Sequence, residues 1–402
     1  MAQSFWYNDN MAIAHVIYQE RAYLRRNGHQ ALDEAFRECT RLYNAALEHW
    51  QTAWKHGHSV SLYEQYGELT AIRQDDEYWS SVSIGIGRGV LRRLDRARQA
   101  FYRRCKSGEK AGYPRFRASR RWKTIEIEQP TTSMVTDKRG KWVVKVKGLP
   151  ILVIKPRREL PDSTHLKTLT ITRKPTGVYV SLGYEVEREV LPKVGRSVGL
   201  DMGVRSRITL SDGSFAVRRH SENDKVATLQ RRIARCRRGS RSQRKLYRQL
   251  ARLRHRDSVR NRNECHRITT QIVRSHDLIA VEDLCITYMT RSARGTAERP
   301  GRNVSAKSRL NRDVLEQSWG IIISQLDYKS LWYGREFTRV DPKHTSQTCS
   351  GCGVVASENR QGKTYNCGSC GLRIDADTNA AINILRRGLS ATGVGISPGL
   401  AA

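Results

Sequence analysis

The spacing of apolar residues changes several times along the chain, and these changes predict its elements. From His29 to Cys105 apolar residues recur at every third or fourth position, which is typical of amphipathic helices. From Trp122 to Glu187 they alternate with polar residues, as in VYVSLGYEVE, which indicates antiparallel strands. We therefore predict an N-terminal β module at residues 1–28 and 106–190 that closes into a small barrel, with a helical insertion at residues 29–105.

The second half of the chain begins a new alternation of strands and helices. VGLDMGV at residues 198–204 is typical of a buried strand followed by a tight turn, and LIAVEDL at residues 278–284 predicts another buried strand. Between them the pattern predicts a long helical region from Glu222 to Ser275. The Arg-, Ser- and Gly-rich segment from Thr287 to Arg309 predicts a mobile loop, and the glycine-rich residues 389–402 predict a disordered tail.

Four cysteines form two Cys-x-x-Cys pairs, Cys349/Cys352 and Cys367/Cys370, with fourteen residues between the pairs. Thiolates at this spacing fit the tetrahedral coordination of one structural Zn²⁺. Disulfides or ordinary buried cysteines are the alternative interpretation. The first residues, MAQSFWYNDN, contain no apolar export signal. We therefore expect reduced thiols, a cytoplasmic location and a zinc ribbon at residues 343–373.

The charge of the chain predicts a polyanionic partner. Its 72 lysines and arginines outnumber its 39 aspartates and glutamates, and the net charge is +33. Nucleic acid is the polyanion that such a surface is expected to bind. A membrane role is disfavoured, because no apolar run is long enough to span a bilayer and no basic amphipathic helix stands out.

Three basic stretches are candidates for the nucleic-acid surface: the helix face Arg88–Arg104, the ring-containing segment Tyr113–Lys123 and the run Arg231–Arg262. Bases can stack on rings while arginines contact phosphates. The alternatives are solvated helix faces and a segment that its rings pin to a core. The residues that we assign to nucleic-acid binding are Arg92, Arg96, Arg115, Arg117, Arg120, Arg235, Arg238, Arg241, Lys245 and Arg248.

Three acids share one kind of position. Asp201 and Glu282 each end an apolar strand pattern, and Asp377 comes just before a helix of small residues. A carboxylate at the tip of a buried strand is costly unless a positive group satisfies it. Carboxylates from separate segments can hold two Mg²⁺ ions for phosphodiester hydrolysis. A helix cap or an ion pair is the alternative for each acid taken singly.

The chain resembles the TnpB family of transposon-encoded, RNA-guided nucleases. The resemblance rests on GLDMGV around Asp201, AVEDL around Glu282, HTSQTCSGCG and NCGSCGLRIDADTNAAINIL in the cysteine region, and RLYNAALEHW and KAGYPRFRASRRW in the first half. It implies an α+β multidomain protein whose RNase H-like (RuvC) α/β domain occupies residues 191–342 and 374–388, interrupted by the zinc ribbon. It also implies that Asp201, Glu282 and Asp377 are the catalytic, Mg²⁺-binding acids. Asp377 is preferred to Asp375 because the family's acid lies in D-x-N-A-A.

The resemblance implies further partners and leaves alternatives open. A guide RNA from the transposon end would pair with target DNA, and the N-terminal half would read a short motif beside the target. We expect one protein chain on one guide RNA, associated with a prokaryotic nucleoid. The alternatives are a compact type V CRISPR effector, a guide-dependent DNA binder without cleavage, and a transposase that performs strand transfer itself.

Overall fold

The computed structural model describes residues 11–393, apart from residues 132–133, 139, 156–158, 162–164 and 219–221. The chain is an α+β protein of two compact units, Ala14–Val186 and the part from Glu187 onward. Among the helices of the described ranges, none combines the length and the apolar character that crossing a bilayer requires. The predicted α+β multidomain class is therefore confirmed.

Within the ranges that the structure describes, the first unit joins a seven-stranded sheet to four α-helices. These helices lie between its first and second strands in the chain, as the change in apolar spacing predicted. The elements are β1 (Met11–Tyr23), α1 (Gly28–Lys55), α2 (Leu62–Asp75), α3 (Glu77–Ser81), α4 (Ile84–Lys106), β2 (Thr124–Glu128), β3 (Val135–Lys138), β4 (Lys141–Val144), β5 (Leu152–Ile154), β6 (Leu166–Lys174) and β7 (Gly177–Glu189).

The sheet of the first unit has the strand order β2-β6-β7-β1-β5-β4-β3. Strand β1 is central, so the N-terminal strand does join the β module. Within the described residues this order leaves β2 and β3 as its two ends, and the expected closure into a barrel does not appear among its pairings. Helices and sheet share one hydrophobic core, which contains Phe36 and Trp50 of α1 together with Ile171 of β6.

In its described residues the second unit contains a five-stranded sheet, a small three-stranded sheet and six α-helices. The elements are β8 (Ser197–Asp201), β9 (Ile208–Leu210), β10 (Phe215–Ala216), α5 (Asn223–Ala234), α6 (Arg241–Ser275), β11 (Leu278–Glu282), α7 (Ile286–Met289), α8 (Val304–Gln317), α9 (Trp319–Trp332), β12 (Glu336–Val340), β13 (Arg360–Gln361), β14 (Thr364–Asn366), β15 (Arg373–Asp375) and α10 (Ala376–Thr392).

The larger sheet has the order β10-β9-β8-β11-β12. Strand β9 pairs antiparallel with both β8 and β10, whereas β8, β11 and β12 run parallel. Successive side chains of a strand point to opposite faces, and β11 is buried on both. Ile279 and Val281 join the core that contains α6 and α9. Leu278 and Ala280 join the core that contains α10.

Two close approaches explain how α10 reaches the sheet. A Cβ atom at Gly199 of β8 would collide with the carbonyl oxygen of Ala381 in α10. A Cβ atom at Gly388 of α10 would collide with the Cβ atom of Ala280 in β11. Glycine at both positions therefore lets backbone and sheet approach closely, and the N-terminal turn of α10 is held over the ends of β8 and β11.

Three sequence predictions for the second unit need correction. The region from Glu222 to Ser275 is two helices, because Gly239 takes a left-handed backbone (φ 78°) just before α6. The segment predicted as a mobile loop contains α7 and the start of α8. The helix predicted to end before the tail continues to Thr392, and residues 394–402 of the predicted disordered tail lie outside the described residues.

Candidate metal centre and acidic site

The four predicted cysteine ligands form one cluster. Their sulfur atoms all lie within 4.8 Å of one another. The Sγ atoms of Cys349 and Cys370 are 3.6 Å apart, as are those of Cys352 and Cys367. Four sulfurs at about 2.3 Å from a tetrahedral Zn²⁺ would be separated by about 3.8 Å. The spacing and the all-thiol chemistry therefore fit zinc, and the predicted zinc cluster is consistent with the structure.

Local backbone structure prepares these sulfurs for a cation. After each pair the chain turns through a left-handed glycine, Gly353 (φ 79°) and Gly371 (φ 74°). The N–H of Gly351 donates to the Cys349 sulfur over 3.3 Å. The N–H groups of Cys370 and Ser369 lower the pKa of the Cys367 thiol to about 6. Hydrogen bonds of this kind favour the thiolate, which is the form that binds zinc.

The structure brings Asp201 and Glu282 together at the ends of adjacent parallel strands. The register pairs Leu200 of β8 with Val281 of β11. Asp201 and Glu282 are the next residues of these strands and therefore lie side by side. Neighbouring strands are about 4.8 Å apart. By alternation Glu282 shares the face of Leu278 and Ala280, which is the face that α10 covers. Both strand-end acids therefore point toward the helix that carries Asp377.

The electrostatics of Asp201 show that the acids share one environment. Burial, and after it the negative charges of Glu282 and Asp377, raise the pKa of Asp201 to about 7, while Arg360 opposes them. Burial also raises the pKa of Glu282, and a hydrogen bond from Thr345 lowers it. The Thr345 hydroxyl donates to Oε1 of Glu282 over 2.5 Å. A partly buried group of like charges is a setting that a cation would stabilise.

Asp377 has a positive partner within the protein. Nη2 of Arg360, at the start of β13, lies 3.0 Å from Oδ1 of Asp377. Within the described ranges the cysteines are the single group of three or more potential ligands whose donor atoms all come within 4.8 Å. The three carboxylates are therefore neighbours without forming so tight a cluster, and Arg360 neutralises part of their charge.

Asp375 has a different role from the one that its spacing suggested. Its position two residues before Asp377 would place both acids on one face of an extended segment. Instead β15 ends at Asp375 and α10 begins at Ala376. Oδ1 of Asp375 accepts hydrogen bonds from the backbone N–H groups of Asp377 and Thr378, both at 3.0 Å. Asp375 is therefore the N-cap of α10, and Asp377 lies in the first helical turn.

Polar side chains of α10 tie the cysteine region to the acidic site. Buried Asn379 donates to the carbonyl oxygen of Thr348 over 2.8 Å and accepts from the N–H of Ser350 over 2.8 Å. Asn383, one turn later, donates to the carbonyl oxygens of Thr345 (2.9 Å) and Thr348 (2.6 Å). The backbone on either side of Cys349 is thus hydrogen-bonded to α10. Sequence reasoning missed this function, although the two asparagines are spaced i, i+4.

The basic residues singled out in the second unit are exposed. Arg235, Arg238, Arg241, Lys245 and Arg248 lie at the junction of α5 and α6 and on the first turns of α6. Among the described residues, none of their side chains appears in a salt bridge. Their charge is therefore available to a polyanion.

The basic residues of the first unit are more varied. On α4, exposed Arg96 pairs with Glu126 over 2.8 Å, and half-buried Arg92 donates to the Tyr66 hydroxyl over 3.3 Å. Arg115, Arg117 and Arg120 are exposed. One correction concerns Arg98, which we had placed on the polar face of α4. It is 4% exposed and pairs with Asp95 over 2.8 Å.

The ring-containing segment is largely pinned by its rings. Tyr113 stacks on Trp50 with ring centroids 5.2 Å apart. Trp122 is buried, and the guanidinium of Arg117 lies 5.3 Å from the Tyr43 ring centroid. Phe116 is 55% exposed. The pinned interpretation therefore holds for Tyr113 and Trp122, and Phe116 alone of the three rings is left open to a base.

Two family models match parts of the chain. Residues 181–293 match the model described as "Probable transposase", and residues 319–384 match "Cas12f1-like, TNB domain". The first match contains the two strand-end acids. The second contains the four cysteines and Asp377.

Comparisons with whole proteins extend this likeness. The chain is 34% identical over 311 residues to "Putative RNA-guided DNA endonuclease InsQ" of Escherichia coli (strain K12), which covers 74% of this chain and 73% of the relative. It is 31% identical over 373 residues to "Putative RNA-guided DNA endonuclease" of Streptomyces pristinaespiralis, which covers 90% of this chain and 87% of the relative.

Solved structures show the same fold at low identity. A Cas12f1–sgRNA–target DNA complex superposes with a TM-score of 0.53 at 14% identity, over 92% of this chain and 98% of that chain. The mini-RNA-guided endonuclease CRISPR-Cas_phi3 gives 0.51 at 10% identity, over 94% and 93%. The likeness in fold places the chain in one structural class with these two proteins. Within that class, the two relatives above 30% identity show that the chain belongs to the TnpB family of RNA-guided DNA endonucleases.

Proposed function

We propose that this protein cuts DNA selected by a bound guide RNA, and that Asp201, Glu282 and Asp377 are its catalytic residues. The observation that carries the proposal is the alignment of Asp201 with Glu282 on the face covered by α10, where burial and neighbouring negative charge raise the pKa of Asp201. Buried acids with perturbed pKa values at a strand edge are typical of functional sites.

The donor set of this site suits magnesium. It consists of carboxylate oxygens, which Mg²⁺ prefers, and offers no nitrogen or sulfur ligand. We infer a RuvC-like, RNase H-type domain from a sheet whose acids end two parallel strands beside an acid-bearing helix. When bound, two Mg²⁺ ions would activate a water and stabilise the leaving 3′ oxygen, which leaves a 5′ phosphate on the product. Thr345 orients Glu282, and Arg360 holds Asp377 until magnesium competes for it.

The cysteine cluster would support this site from the ribbon. Zinc bound by the four thiolates would fix the first cysteine pair, and Asn379 and Asn383 of α10 hydrogen-bond to backbone beside that pair. Loss of the metal would therefore loosen the helix that carries Asp377 as well as the ribbon itself.

The exposed cations of α5 and α6 are the proposed guide-RNA surface. Fourteen basic residues and one acid lie between Arg231 and Arg262. Neutralising phosphates with them releases counterions, so RNA binding should weaken steeply with salt. We infer a guide transcribed from the transposon end, one protein chain on each guide RNA, and association with the nucleoid.

The experiment has two stages. The protein is expressed from its native locus and purified, and the RNA bound to it is sequenced. A plasmid that matches this RNA, with randomised flanks, is then incubated with the complex and Mg²⁺. We expect cutting beside one flanking motif, and binding without cutting by Asp201→Ala. Purified protein without a defined RNA, or equal cutting by Asp201→Ala, would contradict the proposal.

A further inference from the structure

A short loop joins the larger sheet of the second unit to the cysteine region beside Glu282. Strand β12 ends at Val340, which the parallel register pairs with Glu282 of β11. Residues 341–345 follow at once, and we call them the β12 loop. The loop leaves the end of β12 and returns the hydroxyl of Thr345 to Oε1 of Glu282 over 2.5 Å. The position of this hydroxyl therefore depends on the course of the loop.

The side chain of Arg387 holds the β12 loop to α10. Its Nη1 atom donates to the carbonyl oxygens of Asp341 and Lys343, both over 2.7 Å. Asn383, one helical turn earlier on α10, donates to the carbonyl oxygen of Thr345 over 2.9 Å. The helix thus holds the loop at its beginning, at its middle and at its end.

The backbone of the β12 loop needs this support. His344 takes a left-handed conformation (φ 61°), which residues other than glycine seldom adopt. Such a backbone persists only where surrounding contacts hold it. The carbonyl oxygen of His344 accepts from the N–H groups of Gln347 over 3.1 Å and Thr348 over 3.0 Å, and Arg387 binds the carbonyl oxygen just before His344. Because this turn directly precedes Thr345, releasing it would move the hydroxyl that the loop presents.

Arg387 is a cation whose charge is not taken up by a carboxylate. Among the residues that the structure describes, its guanidinium forms no ion pair, and its two acceptors are neutral carbonyl oxygens. Its charge acts on Glu282. Burial raises the pKa of that carboxyl, whereas the hydrogen bond from Thr345 and then the charges of Arg387 and Arg360 lower it. Arg387 is therefore close to the acidic site as well as to the loop.

We propose that Arg387 is a positioning residue for the acidic site, which fixes the β12 loop so that Thr345 holds the Glu282 carboxylate in place for a metal. This inference rests on the proposed function, in which Glu282 binds magnesium. Removing a group that hydrogen-bonds to a metal ligand typically lowers metal affinity by about tenfold to a hundredfold. Arg387 would act one step further out, so its effect should be smaller and should pass through Thr345.

The test is a double-mutant cycle on metal binding. The full-length protein, freed of RNA in high salt, is titrated with Mn²⁺, and free Mn²⁺ is measured by its electron paramagnetic resonance signal. Asp201→Ala gives the background from binding elsewhere. Thr345→Val should weaken Mn²⁺ binding about tenfold, and Arg387→Met about threefold to fivefold. Combined with Thr345→Val, Arg387→Met should cost no more than about twofold, because the hydroxyl that it positions is already gone.

Simple electrostatics predicts the opposite sign. Removing a positive charge beside a cation site would by itself favour Mn²⁺, so Arg387→Met would then bind more tightly. Tighter binding, unchanged binding, or equal losses with and without Thr345→Val would each overturn the proposal.

The matched control is Arg386→Met. Arg386 is the preceding residue of α10 and is half-buried, and none of the described hydrogen bonds uses its guanidinium. Its removal takes away the same charge from the same helix and should leave Mn²⁺ binding unchanged. A loss as large as that of Arg387→Met would overturn the proposal, because the charge of the helix would then matter and the anchored loop would not.

Hydrogen exchange tests the same inference without a metal. Arg387→Met should speed exchange of the backbone amides of residues 343–348 several-fold, since the loop loses its anchor, and Arg386→Met should not. Unchanged exchange in Arg387→Met would overturn the proposal. A protein that shows the coupling and the faster exchange but never cuts DNA would contradict only the proposed function. Absence of Mn²⁺ binding in the unchanged protein would contradict both, whereas normal binding without the coupling would contradict the inference alone.

Discussion

The cysteine cluster and the acidic site belong to one unit and are both groups of anionic ligands, yet they are assembled in different ways. The four sulfurs lie within 4.8 Å of one another and come from two four-residue pairs. The acids come from two strand ends and a helix, and protein groups satisfy them: Thr345 for Glu282, Arg360 for Asp377. The cysteine cluster is closed by local chain geometry, whereas the proposed catalytic site remains open and depends on tertiary structure.

The largest effect on cutting is expected at Glu282, a proposed metal ligand, and not at its neighbour Asp283. Glu282→Gln keeps the shape of a buried side chain but removes its charge, and should lower cutting by about a thousandfold or more, because metal stabilisation contributes several kcal/mol. Asp283→Asn is the control, since the Asp283 side chain is 66% exposed. Initial rates on a guide-matched plasmid measure both. Equal losses would mean that the strand end matters as a whole and that Glu282 has no special role.

The next effect should come from the cysteine cluster. Cys367→Ser should lose zinc and much of the ribbon's stability, since the small ribbon core depends on the metal. Cutting should then fall about tenfold or more, because α10 is hydrogen-bonded to the first cysteine pair. Zinc content measures the loss of the metal, and thermal melting measures the loss of stability separately. Cys105→Ser, at an exposed cysteine of α4, should change neither. Active protein without zinc would show that the cluster has no metal to lose.

The two sites also differ in how visible they are in the sequence. The cysteine pairs and their glycines are local, so their spacing alone predicted the cluster. Asp201 and Glu282 could be singled out because each ends an apolar run. Arg360, Thr345 and the asparagines of α10 could not, because their roles arise only when distant segments meet. The N-cap role of Asp375 was readable from an aspartate directly before a helix of small residues, but its closeness to Asp377 made it the competitor for the third acid instead.

A pH effect should appear in magnesium-free protein. In the folded protein the pKa of the Asp201 carboxyl is raised from 3.8 to about 7. Such a carboxyl contributes its full stabilisation below pH 3.8, and this stabilisation is lost as the pH rises through about 7. Asp201→Asn should remove this loss and raise the free energy of unfolding at pH 8 by roughly 2–4 kcal/mol. Urea titrations at pH 5 and pH 8 measure the difference. If the stability of the variant depends on pH as much as that of the unchanged protein, the Asp201 carboxyl is ordinarily solvated.

A smaller effect should follow from freeing Asp377. In the proposed site Arg360 would have to leave Asp377 before magnesium could bind there. Arg360→Gln should therefore increase the apparent Mg²⁺ affinity several-fold, within the range of about 1 kcal/mol for a partly exposed pair. The rise in melting temperature with Mg²⁺ measures this without reference to cutting. Arg373→Gln, on the exposed side of β15, is the matched control. A fall in Mg²⁺ affinity would mean that Arg360 positions Asp377 for the metal.

The smallest effect is expected when the helix cap Asp375 is removed. Comparison with variants of Asp377 distinguishes the cap from the proposed ligand. Asp375→Ala removes the acceptor for the N–H groups of Asp377 and Thr378, which should cost about 1 kcal/mol of helix stability and part of the cutting activity. Asp375→Asn keeps a capping oxygen without the charge, so it should retain most of both. Asp377→Asn keeps the side-chain shape but should abolish cutting, because a proposed ligand needs its charge. Cutting rates and unfolding curves for the three variants decide the matter. If Asp375→Asn is inactive while Asp377→Asn cuts, the third acid of the site is Asp375, and the cap geometry is incidental.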